Sequence, residues 1–150
     1  KIEIAKKFGC DYVINYSKDN FQQKVMEITN DVGLPVVYDG VGKVTMEKSL
    51  GCLKMRGTFV SFGNASGKLD PLDVGKLIAP KGLFLTRPSI AHYTATRKEL
   101  DEAANKLFEM VKTEKVKIDI FKKYSLKDVV TAHQDLEGRK IIGPAIIVPN

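Results

Sequence analysis

The first third of the chain alternates between a hydrophobic pattern typical of amphipathic helices and one typical of buried strands. Ile2, Ala5 and Phe8 share one helical face, and Gly9 stands where a helix commonly ends. A short strand is predicted from Tyr12 to Asn15. The polar residues after it begin a second helix, which ends near residue 30. The chain therefore opens as helix, strand, helix.

The same alternation continues to about residue 86. The apolar run Val36–Tyr38 predicts a strand covered on both faces, as in parallel sheets. Met46, Leu50 and Leu53 then define a helical stripe, which Arg56–Gly57 interrupts. The pattern next predicts a strand, a loop and a last strand: Thr58 to Phe62, Gly63 to Gly82, and Leu83 to Thr86. Because parallel strands need crossover helices, this order predicts an α/β fold with a doubly wound parallel sheet.

After Pro88 the rhythm changes, and we treat residues 1–88 and 89–150 as separate units. The second unit is predicted to contain a long helix, a short strand, a second helix and a closing strand: Arg97 to Lys112, near Ile118, Leu126 to Glu137, and Ala145 to Val148. Apolar residues at helical spacing predict the inward face of the long helix: Leu100, Ala104, Leu107 and Val111. Gly138 is expected to end the second helix.

Composition narrows the class of protein. The chain is 43% hydrophobic and 28% charged, which suits a packed, soluble domain, and no apolar run is long enough to span a bilayer. Its net charge of +6 is diffuse, so it favours anionic ligands only weakly. Cys10 and Cys52 form neither a disulfide framework nor a zinc motif, so we expect no metal and a reducing cytoplasm.

Candidate chemistry lies where the predicted strands end, because ligands of such sheets bind at the carboxyl edge. Asp39-Gly40-Val41-Gly42 follows one strand, but Thr45 stands where the third glycine of a G-x-G-x-x-G fingerprint would be. The chain has no such fingerprint. The Asp39 carboxylate is predicted to bond loop amides rather than to act in catalysis. His133 is predicted to be a packed core histidine, and no catalytic constellation can be assembled from spacing.

A series of segments, taken in order, closely resembles the zinc-free quinone oxidoreductases, the zeta-crystallin-like branch of the medium-chain dehydrogenase/reductases. The segments that carry the resemblance are Asp11 to Tyr16, Val36 to Gly42, Arg56 to Gly67, Leu85 to Ser89, Thr96 to Leu100, Tyr124 to Asp128, Ala132-His133 and Leu136 to Arg139. In that family a Rossmann-type cofactor domain is inserted into a catalytic domain of GroES-like fold. The resemblance implies that residues 1–88 end the cofactor domain and that residues 89–150 return to the catalytic domain.

The resemblance also implies a cofactor and the residues that bind it. The cofactor is NADPH: Lys1 and Tyr16 match the pair that holds the adenosine 2′-phosphate, and Arg139 matches an arginine near the same cofactor. Phe62, Gly63 and Ser66 resemble the loop along the nicotinamide side, with Gly40 and Val41 beside it. Gly40 departs from the serine often found in relatives, which leaves backbone contacts as its means of binding.

The implied reaction is hydride transfer from NADPH to a quinone or a similar electron-poor acceptor, without a metal. The strand from Leu83 to Thr86 resembles the edge through which two subunits pair, so a homodimer is expected. An enoyl-thioester reductase of the same superfamily remains an alternative. A nucleic-acid-binding role, suggested by the positive charge, is a weaker alternative because no interleaved aromatic and basic motif is present.

By the same resemblance, the chain lacks the first two strands of the cofactor domain and its glycine fingerprint. We therefore expect the isolated polypeptide to be inactive, and its strands to pair abnormally, to borrow a partner or to need a longer molecule. Apolar faces that normally meet the catalytic lobe are expected to be uncovered.

Overall fold

The computed structural model describes residues 1–149, which form two compact units. One unit is Ile2–Tyr93, and the other contains the residues from Thr94 onward together with Lys1. The helices and strands of the first unit are α1 (Ile2–Lys7), α2 (Phe21–Ile28), β1 (Leu34–Asp39), α3 (Met46–Gly51), β2 (Leu53–Ser61), α4 (Val74–Leu77), β3 (Phe84–Thr86) and α5 (Ile90–Tyr93).

The first unit is built on a parallel sheet of order β1-β2-β3. Its core consists of side chains from α3, from β2 and from the residue just before β3: Met46, Leu50, Leu53, Phe59 and Leu83. The predicted parallel α/β layer is confirmed. Because the strands run in the same direction, their carboxyl ends at Asp39, Ser61 and Thr86 define one edge of the sheet.

The helix-ending glycine of α1 is also confirmed. Gly9 has a φ of 91°, in the left-handed region that favours glycine. Its N–H donates to Lys6 O at 3.0 Å, and Cys10 N–H donates to Ala5 O at 3.1 Å. These two bonds satisfy carbonyls at the end of the helix.

The predicted strand from Tyr12 to Asn15 is wrong, since the structure has no strand there. A strand forms only when its backbone groups meet a neighbouring strand. Within residues 1–149, β1 pairs with β2 alone, so the apolar sequence Tyr12 to Ile14 finds no ladder. The expected cover on both faces of β1 is wrong as well, because Val36 is 38% and Tyr38 72% exposed.

Leu53 belongs to β2 rather than to the preceding helix. Helix α3 ends at Gly51, and Leu53 is fully buried in the core. The strand pairs Leu53 with Leu34 and then Thr58 with Val36, so extra residues bulge out between them. Arg56, with a φ of 57°, lies in that bulge. The break predicted at Arg56–Gly57 is therefore a bulge within a strand.

The loop predicted between Gly63 and Gly82 contains α4 and a turn of 3₁₀ helix, Ala79–Lys81. Asp73 begins α4 by accepting a hydrogen bond from Lys76 N–H at 2.9 Å. The strand predicted after this loop is confirmed as β3. A polar sequence with a capping aspartate thus encodes a short helix that composition alone describes as loop.

The second unit contains α6 (Arg97–Lys112), β4 (Lys122–Ser125), α7 (Val129–Glu137) and β5 (Ala145–Val148), with β4 and β5 paired in parallel. The bounds of α6 agree with the prediction, and Thr96 with Glu99 forms a capping box at its start. The predicted inward face is borne out only in part, because Ala104 and Val111 are half-buried. Leu100 is 47% and Leu107 51% exposed, and no residue of α6 is buried.

Two further predictions for the second unit need correction. The strand expected near Ile118 begins instead at Lys122. His133 is exposed, whereas the buried residues of α7 are Ala132 and Asp135. Helix α7 thus buries the carboxylate of Asp135, whose negative charge is balanced by a cluster of ionic and polar partners. The expected end at Gly138 and the closing strand are confirmed.

Asp135 is the centre of that cluster. Its carboxylate accepts hydrogen bonds from Lys122 Nζ at 3.0 Å, Tyr124 Oη at 2.8 Å and Lys140 Nζ at 3.2 Å. The bonds from Lys122, Tyr124 and Lys140, in that order of importance, lower the pKa of Asp135 to about 2. Asp135 is therefore ionised, and its carboxylate links α7 to β4 and to the segment that follows α7.

We expect this cluster to make the second unit sensitive to acid. A carboxyl group whose pKa is lower in the folded state stabilises that state fully at pH values above its ordinary pKa of 3.8. This contribution to stability is lost as pH falls toward 2. Thermal melting followed by circular dichroism between pH 5 and pH 2 measures the loss. Asp135→Asn should show a flatter dependence on pH than Asp128→Asn, and equal slopes for the two variants would contradict this role.

Among the helices of the described residues, none combines the length and the apolar character needed to cross a bilayer.

Candidate functional site

The loop after β1 is organised by Asp39, which is only 5% exposed at the end of that strand. Its Oδ1 accepts hydrogen bonds from Val41 N–H at 2.8 Å and Gly42 N–H at 2.9 Å. Its Oδ2 accepts from the hydroxyls of Thr45 and Ser49, each at 2.8 Å. One carboxylate thus fixes both the loop and the first turns of α3, and the predicted role of Asp39 is confirmed.

This network keeps Asp39 ionised. Burial favours the neutral acid, but the bonds from Gly42, Thr45, Ser49 and Val41 together outweigh burial and hold the pKa below its ordinary value. The carboxylate has no cationic partner among the residues that bond to it. Its charge is balanced by oriented N–H and O–H dipoles, so the loop conformation and the ionised state depend on each other.

A second loop, after β2, is bonded directly onto the first. Phe62 N–H donates to Asp39 O at 3.0 Å, and Ala65 N–H donates to Gly40 O at 3.2 Å. The Ser66 hydroxyl donates to Val41 O at 2.7 Å and accepts from Val44 N–H at 3.1 Å. The two loops therefore form one rigid surface at the carboxyl edge of the sheet.

Glycines allow these loops to approach so closely. A Cβ atom on Gly63 would lie 2.5 Å from Gly40 O, closer than any real contact. A Cβ on Gly40 would lie 3.0 Å from Phe62 Cζ, so the Phe62 ring covers that glycine. Phe62 itself remains 59% exposed. The surface thus consists of closely packed backbone that is partly covered by one exposed aromatic ring.

An open groove of about 280 Å³ runs beside this surface. Its lining combines aromatic side chains with the Asp39 network: Tyr12, Ile14, Tyr16, Phe21, Tyr38, Asp39, Gly40, Val41, Thr45 and Ser49. Tyr16 is 49% exposed. The groove joins the segment after α1 to the loop after β1.

The structure brings most of the predicted site residues together. Gly40, Val41, Phe62, Gly63 and Ser66 form the paired loops, and Tyr16 shares the groove with the first two of them. Lys1 and Arg139 are exposed residues of the second unit. Arg139 follows α7 with a φ of 56°.

Sequence reasoning missed Thr45, Ser49 and Arg87. Thr45 and Ser49 are four residues apart, so they share one helical face toward Asp39, and this spacing was a usable signal. Arg87 Nη1 donates to Ser61 Oγ at 3.1 Å and to Asn64 Oδ1 at 3.3 Å. No local pattern marks Arg87, because its partners lie more than twenty residues earlier.

In the part of the chain that the structure describes, no three His, Cys, Asp or Glu side chains lie close enough together to hold a metal ion. Cys10 is exposed and Cys52 is buried, both as free thiols. Burial raises the pKa of Cys52, which keeps that thiol in its unreactive protonated form.

Comparison with known proteins agrees with the resemblance found in the sequence. Residues 1–113 match the family model described as zinc-binding dehydrogenase. The chain is 42% identical over 151 residues to quinone oxidoreductase 1 of Escherichia coli strain K12, covering 99% of this chain and 46% of that protein. It is 41% identical over 150 residues to a 2-haloacrylate reductase of Burkholderia, covering 99% of this chain and 45% of that protein.

A crystal structure of Escherichia coli quinone oxidoreductase complexed with NADPH superposes with a TM-score of 0.93 at 41% identity, covering 99% of this chain and 46% of that one. The chain thus spans about half the length of the curated relatives that it matches. Similarity of sequence and of fold leads to the same conclusion: this chain belongs to the zinc-binding dehydrogenase family and resembles the quinone oxidoreductases within it.

Proposed function

We propose that this chain is the C-terminal part of an oxidoreductase that transfers hydride from NADPH to a quinone or a similar electron-poor acceptor. Residues 1–88 would complete the dinucleotide-binding domain, and residues 89–150 would return to the catalytic domain. The observation that carries the proposal is the pair of loops joined through Asp39 at the carboxyl edge of β1 and β2. Open parallel sheets bind nucleotides at this edge.

The residues present fit NADPH. The nicotinamide half is flat, and the exposed Phe62 ring offers it an apolar face beside the closely packed backbone of Gly40 and Gly63. The 2′-phosphate is a dianion and needs charge-assisted donors. Lys1, Tyr16 and Arg139 supply an ammonium, a hydroxyl and a guanidinium, all on exposed residues. These are the groups that distinguish NADPH from NADH.

Each residue then has a defined task. Lys1, Tyr16 and Arg139 would bind the 2′-phosphate, and Gly40, Val41, Phe62 and Gly63 would contact the nicotinamide half. The Ser66 hydroxyl already donates a hydrogen bond to Val41 O and accepts one from Val44 N–H. We therefore assign Ser66 to positioning the loop rather than to direct donation. The cofactor, when bound, supplies the hydride, and these residues hold it in place and exclude water.

Reduction of an activated carbon–carbon double bond is a second candidate. The 41% identical relative from Burkholderia is named for its reduction of 2-haloacrylate, an electron-poor alkene. The same placement of a nicotinamide serves either acceptor, since both accept hydride at an electron-deficient carbon. Comparing turnover of a quinone with turnover of a 2-haloacrylate separates these candidates.

A chimera tests the proposal. This chain replaces the matching C-terminal segment of Escherichia coli quinone oxidoreductase 1, and NADPH oxidation with a quinone acceptor is measured. We expect turnover, and we expect Lys1→Ala to raise the Kd for NADPH about tenfold, the size of a charge-assisted bond, while leaving NADH binding unchanged. Lys7→Ala, an equal charge change at the end of α1, is the matched control. A folded chimera that binds no NADPH would refute the proposal.

The 150-residue chain alone should bind NADPH only weakly. It contains no G-x-G-x-x-G sequence, and that loop normally holds the pyrophosphate through its backbone N–H groups. Titration followed by nicotinamide fluorescence should therefore show no saturation at micromolar NADPH. Tight, saturable binding would show that the loops after β1 and β2 suffice without the fingerprint.

A further inference from the structure

A second concave surface lies next to the paired loops, within the same unit. It encloses about 800 Å³ and is lined by residues that follow β2 and β3: Phe62, Arg87, Pro88, Ser89, Ile90, His92 and Tyr93. Phe62 is common to this cavity and to the surface assigned to the nicotinamide half. A volume of this order accommodates a small aromatic molecule. The cavity is therefore placed to hold what the cofactor would reduce.

The charged group of the cavity is Arg87, whose guanidinium is held from one side. Its Nη1 donates to Ser61 Oγ at 3.1 Å, to Ser61 O at 3.4 Å and to Asn64 Oδ1 at 3.3 Å. Within residues 1–149, its Nε and Nη2 make no hydrogen bond to protein. One nitrogen is thus anchored to the sheet edge, while the other two nitrogens keep three N–H donors available in the same plane.

The rest of the lining suits an anionic, planar molecule. Among the described residues no Asp or Glu lines the cavity, whereas His92 and the Ser89 hydroxyl add polar groups beside Arg87. Phe62 is 59% and Tyr93 69% exposed, so both rings offer apolar surface. An arginine without an acidic partner, next to exposed aromatic rings, binds carboxylates on flat frameworks well.

We propose that this cavity binds a planar acceptor carrying a carboxylate, with Arg87 as the residue that recognises the carboxylate. The inference rests on the proposed function and narrows its substrate class from electron-poor acceptors in general to anionic ones. Phe62 and Tyr93 contact the planar framework, and Asn64 and Ser61 hold the guanidinium in place. The residue that selects the acceptor is therefore fixed to the same loop that approaches the cofactor.

The test compares two unreactive ligands of nearly equal shape, naphthalene-2-carboxylate and naphthalene-2-carboxamide. Each is titrated into the isotopically labelled 150-residue chain, and NMR shifts of Phe62, His92 and Tyr93 give the Kd. We expect the carboxylate to bind about tenfold more tightly than the amide, as a charge-assisted bond at an accessible site allows. Equal Kd values, or no binding of either ligand at millimolar concentration, would overturn the inference. This test uses the wild-type chain alone.

Variants then assign the preference to one residue. Arg87→Gln should reduce the ratio of the two Kd values to about one, because a hydrogen bond from the neutral glutamine side chain does not favour an anion over an amide. Arg97→Gln, the same charge change on the exposed face of α6, should leave the ratio unchanged. An equal loss in both variants would indicate diffuse electrostatics and reject Arg87. No cofactor is present in this titration, so it can fail while the NADPH assays succeed, and the reverse.

Discussion

Asp39→Ala is expected to lower the free energy of unfolding by about 4 kcal/mol, because several buried donors lose their acceptor at once. Thr45 and Ser49 are 6% and 5% exposed; the Ser49 hydroxyl would lose its carboxylate acceptor, and the Thr45 hydroxyl would keep only its weaker bond to Gly42 O at 3.2 Å. The N–H groups of Val41 and Gly42 would lose the same carboxylate. Urea unfolding followed by circular dichroism measures the change.

Single substitutions of the donors provide the control. Ser49→Ala removes one hydroxyl and should cost about 1 kcal/mol, since the carboxylate keeps its other donors. Combining Ser49→Ala with Asp39→Ala should cost less than the sum of the two, because the orphaned hydroxyl is then gone. If Asp39→Ala were no worse than Ser49→Ala, the network would not be organising the loop.

The dependence of stability on acid provides a second test of the Asp39 network. The folded pKa of Asp39 lies below the ordinary value of 3.8, so its contribution is complete above that value and is lost as pH falls through the lower folded pKa. In the wild-type chain this loss should appear below about pH 4. Asp39→Asn should be less stable than the wild-type chain at neutral pH, and its free energy of unfolding should fall less on acidification.

Much of the fold could be predicted because helices and strands have different hydrophobic periods. The bounds of α6 and the positions of β1, β3 and β5 follow from local pattern. The pattern fails where pairing decides the outcome. Tyr12 to Asn15 has the composition of a strand, but the structure offers it no neighbour, and Leu53 fits a helical stripe although β1 recruits it into β2.

The site divides in the same way. Asp39 could be assigned to the loop because a carboxylate at a strand end meets the N–H groups of the next few residues. The closeness of Gly63 to Gly40 and the anchoring of Arg87 depend on loops separated by more than twenty residues, and no local period records such contacts. Lys1, Tyr16 and Arg139 stay a prediction, carried by the family resemblance.

Gly63→Ala is expected to cost about 3 kcal/mol of unfolding free energy, at the upper end of the usual effect of overpacking. The new methyl group would lie 2.5 Å from Gly40 O. The backbone fixes the position of a Cβ atom, and its partner is a backbone oxygen, so neither can turn away. The two loops would have to separate, which stretches the bonds from Phe62 to Asp39 O and from Ala65 to Gly40 O. Thermal and urea unfolding measure the cost.

Gly75→Ala is the matched control for that substitution, because its Cβ would meet Asp73 Oδ1 at an ordinary 3.4 Å inside α4. Alanine favours helix over glycine, so this variant should be neutral or more stable by up to about 1 kcal/mol. In the chimera, Gly63→Ala should also weaken NADPH binding while Gly75→Ala should not. Equal stabilities for the two variants would mean that the loops approach each other less closely than their hydrogen bonds require, and the rigid surface assigned to the nicotinamide half would then have no physical basis.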